Sequence, residues 1–215
     1  MGLPTVNKKV VLASGNAGKL AEFGQSLAPL GIELIAQSQF VAAEVEETGL
    51  SFVENAILKA RHACAASGLP ALADDSGLEV DALQGQPGIY SSRFAGVSGP
   101  DKDAANNSKL LADLASVPTE QRTARFQCVL VYMRHAADPV PLICQAAWQG
   151  SIVAEPRGLQ GFGYDPVFAV AHTDVCAAQL SKAEKMAVSH RGQAIQQLLH
   201  ALSELAEFDD LDETQ

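Results

Sequence analysis

The period of apolar positions changes along the chain, and each change marks an element. Lys8 to Ala13 is a short apolar run ending in Ser14-Gly15-Asn16-Ala17-Gly18-Lys19. After it, Leu20, Phe23, Leu27 and Leu30 recur at helical spacing. This predicts strand, glycine loop and helix. Ile32 to Ala36 reads as a second strand, followed by the acidic stretch Glu44-Val45-Glu46-Glu47-Thr48-Gly49. Ser51-Phe52-Val53-Glu54 has the form of a capping box, and Val53, Ala56, Ile57, Ala60 and Cys64 form an apolar stripe, so a helix is expected from about 52 to 67. Leu69 to Ala73 is a short buried strand running into Asp74-Asp75-Ser76-Gly77, with Leu78 to Val80 as the next extended piece.

The segment from Gln84 to Pro100, rich in Gly, Pro and Ser, reads as a long loop carrying Tyr90, Arg93 and Phe94, and Asp101 to Ser116 as a helix. Arg125 to Arg134 and Leu142 to Ile152 are β-rich and separated by Ala137-Asp138-Pro139, which predicts an antiparallel pair. Gly158 to Asp165 is a second glycine-rich loop. Ser181-Lys182-Ala183-Glu184 repeats the capping-box pattern, and Ser189 precedes a final helix with Ile195, Leu198, Leu199, Leu202 and Leu205 on its buried face. No internal repeat or low-complexity linker interrupts the pattern. Early alternation of strands and helices followed by a late hairpin predicts an α/β fold with a mixed, partly antiparallel sheet.

The chain has 215 residues, 47% of them hydrophobic, enough to bury a substantial core in one compact unit. No stretch approaches the roughly 18 apolar residues of a membrane span, and the start MGLPTVNKK lacks the apolar core of a secretory signal, so a cytoplasmic protein is expected. Cys64, Cys128, Cys144 and Cys176 form no C-x-x-C pair and read as buried free thiols. A formal charge of −10 disfavours nonspecific nucleic-acid binding. A small anionic substrate would need a local cationic cluster or a metal ion. Part of the charge lies in Glu204, Glu207, Asp209, Asp210, Asp212 and Glu213, read as a solvated acidic tail from about 206.

Several segments carry candidate chemistry. A glycine turn between strand and helix exposes backbone N–H groups at the positive end of the helix dipole, which suits phosphate oxygens. Ser14 to Lys19 fits this use, with Lys19 as point charge and Asn16 as donor, yet it matches neither a Walker loop nor a dinucleotide loop. Asp74-Asp75-Ser76-Gly77 places two carboxylates at an expected strand end. Adjacent carboxylates need a compensating cation, so magnesium is a natural partner, with Glu46 and Glu47 as a second acidic cluster. Phe162-Gly163-Tyr164-Asp165 offers an aromatic ring on a glycine loop for stacking. His190 and Arg191 stand in a first helical turn, where the dipole disfavours cations unless an acceptor-rich ligand compensates. Lys59 and Lys185 are further candidate phosphate contacts.

The segments SGNAGK, EETGLSFVENAILKA, LADDSG, PGIYSSRFAG, GFGYDP and SHRG, in that order, resemble the non-canonical purine nucleoside triphosphate pyrophosphatase family from Val10 to about Leu202. The resemblance implies an elongated mixed sheet flanked by helices, with two lobes and a cleft between them, in one domain over residues 1–215. It also implies a homodimer and magnesium-dependent hydrolysis of inosine and xanthosine triphosphates to monophosphate and pyrophosphate. Carried over, it gives Ser14, Gly15, Asn16, Ala17, Gly18 and Lys19 to the triphosphate. Asp75 becomes the general base and a metal contact, Glu46 a further metal contact, and Ser76 a substrate contact. Phe162, Gly163, Tyr164 and Asp165 would hold base and sugar, Lys185 would reach phosphate, and His190 and Arg191 would contact the purine. Ser14 stands where many relatives have Thr; both carry a hydroxyl. Two rival readings are a pyrophosphatase for modified pyrimidine triphosphates and a non-catalytic nucleotide-binding regulator.

Overall fold

The structure is a computed structural model that describes residues 8–41, 43 and 45–212, with the side chains of Ala17 and 206–212 left aside. The chain start, Glu44 and Glu213 therefore lie outside the described residues. Six strands form one sheet: β1 (Lys8–Leu12), β2 (Ile32–Ala36), β3 (Ala71–Val80), β4 (Thr123–Met133), β5 (Leu142–Ile152) and β6 (Phe168–Val170), in the order β2-β1-β3-β4-β5-β6. The helices are α1 (Ala17–Leu27), α2 (Phe52–Ser67), α3 (Lys102–Asp113), α4 (Lys182–Val188) and α5 (His190–Asp212). This is the mixed α/β class expected. β1 pairs in parallel with both β2 and β3, and β5 runs antiparallel to β6. Neighbours β4 and β5 are joined by residues 134–141 alone, too few for the crossover that a parallel pair requires.

The chain falls into two compact units, dividing after Asp75, Cys128, Gln145 and Gln193. In the first, Ala56, Ala60, Ala63 and Cys64 of α2 pack against Val11, Ala71, Ala73, Val129 and Val131. This small-residue face lets the helix lie close to the strands. Its ends are set locally: the Ser51 hydroxyl accepts from Glu54 N, and Gly68 ends the helix at φ 69°, where a side chain would be strained. In the second unit the core is aromatic, with the Phe126 and Trp148 rings 4.6 and 5.2 Å from that of Phe168. All four cysteines are buried and free, as expected.

Four expectations are corrected. Asp74 to Gly77 do not end a strand: β3 runs unbroken for ten residues through them. The segment from Gln84 to Pro100 contains a 3-10 helix, Gly88–Arg93, secured by Ser91, whose hydroxyl donates to Gly88 O and accepts from Leu78 N. The expected acidic tail continues α5 as helix to Asp212, because nothing in that run breaks a helix. Of the face expected on α5, Ile195 and Leu198 are buried, while Leu199, Leu202 and Leu205 are only half-buried. β6, three residues long, has no periodic signal to announce it.

Candidate active site

Successive residues of a strand point to opposite faces of the sheet. The crossovers β1-α1-β2 and β2-α2-β3 run in opposite directions along the order β2-β1-β3, so right-handed connections put α1 and α2 on opposite faces. Asp74 and Asp75 therefore meet different helices. Asp74 Oδ2 pairs with Lys19 of α1 at 3.1 Å, and Asp75 Oδ1 with Lys59 of α2 at 2.6 Å. Both carboxylates are buried, at 2% and 8% exposure. They lie mid-strand in β3, yet at the end of its parallel neighbour. Val11 is opposite Ala71, Leu12 is opposite Leu72, and Ala13 N donates to Leu72 O, so the Ser14 loop leaves β1 level with the pair. The C-terminal ends of parallel strands are where α/β sheets place ligands.

All three donors of the Lys59 ammonium are used, by Asp75 Oδ1, by Asp74 O at 2.9 Å and by Glu47 Oε1 at 3.1 Å. Glu47 is held on the approach to α2 by Gly49 N donating to Asn55 Oδ1 and Leu50 N donating to Glu54 Oε2. Glu46, the expected metal contact, is exposed, whereas Glu47 reaches the cluster. Burial pushes the Asp75 carboxyl up to about 6; Lys59 opposes the rise, while Glu47 and Asp74 add to it. Burial also works to lower the Lys59 pKa, but Asp75, Glu47 and Asp74 outweigh it and the net shift is upward. Three carboxylates, Asp74, Asp75 and Glu47, thus converge on the Lys19 and Lys59 ammoniums. Among the described residues no three His, Cys, Asp or Glu side chains gather as a ready-made metal cage. Magnesium takes only one or two protein carboxylates plus water and phosphate oxygens, and this donor set fits it.

The Ser14 loop is ordered by its own side chains. Asn16 caps α1, its Oδ1 accepting from Gly18 N at 2.8 Å and Lys19 N at 3.2 Å, and Asn16 N donates to Ser14 Oγ. Two of the amides expected to face phosphate are therefore occupied by Asn16, which acts here as acceptor. Gly15, Asn16 and Gly18 are exposed and Ser14 half-buried; Ala17 contributes backbone at the first helical position. Ser76, half-buried, follows Asp75 on β3 as the first residue of the second unit.

The remaining expected residues gather in the second unit. The Gly161–Asp165 loop curls around the buried Asp165 carboxylate, which accepts from Phe162 N at 2.9 Å and pairs with Lys185. A Cβ at Gly161 would collide with that carboxylate. Phe162 is 53% exposed, with Lys185 Nζ 4.8 Å and Arg191 Cζ 5.5 Å from its ring centroid, a cation–π arrangement. Tyr164 is core: burial pushes its phenol up, and its hydroxyl donates to Ser91 O at 2.8 Å. Only Phe162 of the four offers a ring to a ligand.

Ser181 and Glu184 complete the expected capping box on α4, which carries Lys185. The Ser189 hydroxyl accepts from Gly192 N, and Gly192 lets the start of α5 approach Met186 O, which a Cβ would strike. His190 and Arg191 are not solvent-facing: both are buried, His190 stacking on Phe126 at 4.9 Å and Arg191 lying over Phe162. Asp103 and Asn107 of α3, unremarked in the sequence, also reach this loop: Gly163 N donates to Asp103 Oδ2 at 2.7 Å, and Asn107 Nδ2 donates to Gly163 O at 2.9 Å.

Comparison with known proteins places the chain in a family. The Ham1 family model matches residues 10–201. The dITP/XTP pyrophosphatase of Shewanella oneidensis is 58% identical over 203 residues, covering 94% of this chain and 98% of that protein. The dITP/XTP pyrophosphatase of Escherichia coli strain K12 is 54% identical over 195 residues, with 91% and 98% covered. Among solved structures, a HAM1 protein from Coxiella burnetii superposes with a TM-score of 0.86 at 50% identity, over 92% of this chain and 99% of that one. With a match across nearly its whole length in sequence and in fold, the chain belongs to the Ham1 family.

Proposed function

We propose that this protein hydrolyses deaminated purine nucleoside triphosphates, dITP, ITP and XTP, to the monophosphate and pyrophosphate, clearing them from the nucleotide pool. The observation that carries the reading is the buried Asp74-Asp75 pair, one carboxylate held by Lys19 and the other by Lys59, which also holds Glu47. The names of the bacterial relatives support the substrate class. A non-catalytic regulator would gain nothing from a buried carboxyl raised to about 6, whereas a general base works best with its pKa near the working pH.

In this reading Asp75 with Glu47 or Glu46 would hold a magnesium ion, which when bound would supply positive charge to the phosphate oxygens and polarise water. Asp75 orients the attacking water and accepts its proton. Lys59 keeps the Asp75 carboxylate in place and holds Glu47 beside it. Lys19 and the Ser14 loop grip the outer phosphates, so that they depart together as pyrophosphate. Phe162 stacks on the base, and Lys185 supplies positive charge to the nucleotide. His190 and Arg191 donate to the oxygen at purine position 6, where adenine carries an amino donor instead. The enzyme is taken to be a cytoplasmic homodimer, a state that light scattering measures.

The deciding experiment is pyrophosphate release from inosine, xanthosine, adenosine and guanosine triphosphates, with and without magnesium. Magnesium-dependent pyrophosphate from the first two, and little from adenosine triphosphate, is expected. Stepwise orthophosphate through a diphosphate would refute the proposed grip on the outer phosphates. Preference for a modified pyrimidine triphosphate would refute the base assignment.

A further inference from the structure

We propose that Asp103 and Asn107 are positioning residues that set the attitude of the Phe162 ring by gripping the backbone on its C-terminal side. The inference rests on the reading of Phe162 as the surface that stacks on the base. With its ring 53% exposed, Phe162 has little core packing to orient it. Its backbone does so instead. The N–H of Phe162 donates to Asp165 Oδ2 at 2.9 Å, which restrains the chain before the ring, and the N–H of Gly163, the next peptide, donates to Asp103 Oδ2 at 2.7 Å, which restrains it after. Asn107 Nδ2 then takes Gly163 O at 2.9 Å, so Gly163 is held at both its amide and its carbonyl. Gly163 stands at φ 60°, a conformation glycine adopts without strain and one that needs outside restraint to stay unique.

Asp103 and Asn107 lie four residues apart on α3 and so share one face of the helix. Asp103 stands in the first turn of α3, where the helix dipole favours an acid, but that preference sets no partner for its carboxylate, which takes Gly163 N. Asn107 is 8% exposed with no described group bonded to its Oδ1. An apolar side chain would fill that position without leaving a buried acceptor unmatched. The bond that Asn107 does make is the one to the loop. Lys185 and Arg191, at 4.8 and 5.5 Å from the ring, set the cationic surroundings that the clamp keeps in register with it.

The test is a double-mutant cycle read by steady-state kinetics with inosine triphosphate. Asp103→Ala should raise KM by roughly 10-fold or more with kcat within about threefold, because the misplaced group serves binding and not the chemical step. Asp103→Asn, which keeps an oxygen acceptor, should recover most of that loss. In a Phe162→Ala background, Asp103→Ala should add less than about twofold, since the clamp then has no ring to place. Asn107→Leu, which fills the same buried volume, repeats the test should Asp103→Ala fold poorly, and thermal melts run beside each variant. Losses that simply add in the double variant, or a fall in kcat at constant KM, would overturn the clamp. If Phe162→Ala alone leaves KM unchanged, the base-stacking reading itself fails and the clamp with it. A Phe162→Ala effect without an Asp103 or Asn107 effect overturns the clamp alone.

Discussion

At the scale of single residues the site is a problem in burying charge. Asp75 sits at 8% exposure with its carboxyl raised to about 6, above the ordinary aspartate value of about 3.9. A group whose folded pKa is raised contributes stability that is present below the unfolded value and lost as pH rises through the folded one. In chelator, Asp75→Asn is therefore expected to melt no lower than the parent at neutral pH, and with magnesium present it should lose at least about 100-fold in turnover, the lower end of what general acid–base work contributes. A variant retaining turnover within about threefold would remove Asp75 from the chemistry. Arg191→Ala removes a buried guanidinium from over Phe162. The ratio of kcat/KM for inosine over adenosine triphosphate is expected to contract roughly 10–150-fold, the equivalent of one charged hydrogen bond. Equal losses on both nucleotides would reassign Arg191 to phosphate or to the fold. Asp75, His190 and Arg191 were legible as candidates from residue type and spacing. Their burial was not, because it depends on Lys59, Phe126 and Phe162 arriving from distant parts of the chain.

Elements were most legible where their ends carry local chemistry. β2 and α2 have the bounds expected, α2 because Ser51 caps one end and Gly68 the other. β3 was split in expectation because Asp-Asp-Ser-Gly is poor strand material; paired neighbours override that weak preference. The link between β4 and β5 shows the same division. Ala137-Asp138-Pro139 marked a break, but only the folded chain buries Asp138 to 3% exposure. There it accepts from Arg134 Nε at 2.9 Å, Arg134 N at 3.0 Å and Val140 N at 3.1 Å. The Arg134 guanidinium, together with those backbone amides, holds the Asp138 carboxyl far below the usual carboxylate range, against the opposing effect of burial. A depressed pKa contributes stability that is present above the unfolded value, about 4, and lost as pH falls below it. Asp138→Asn is expected to cost about 2 kcal/mol at pH 7 in denaturant titrations, and the gap to the parent should shrink below pH 4. A gap that stays constant with pH would mean that shape, not charge, matters there.

Over the whole molecule, a formal charge of −10 makes the local pairing of Lys19 and Lys59 with carboxylates all the more telling. If the cluster of Asp74, Asp75 and Glu47 is a cation site, magnesium binds the folded state alone and must stabilise it. At 100 times its dissociation constant the gain is about 2.7 kcal/mol, visible as a rise in melting temperature that Asp75→Asn should abolish. A parent whose melt ignores magnesium would argue against a resident cation in the unliganded enzyme. The sequence by itself determined the mixed α/β class, the caps and bounds of α2, the free thiols and the set of residues with chemistry to offer, because these follow from period, turn chemistry and side-chain type over a few positions. The tertiary structure alone decided that β3 is continuous, that Asp74 and Asp75 take separate lysines, that Glu47 and not Glu46 joins them, and that α3 grips the Phe162 loop. Each of these depends on strand order and helix handedness, which bring together residues far apart in the chain, and no local pattern encodes such distances.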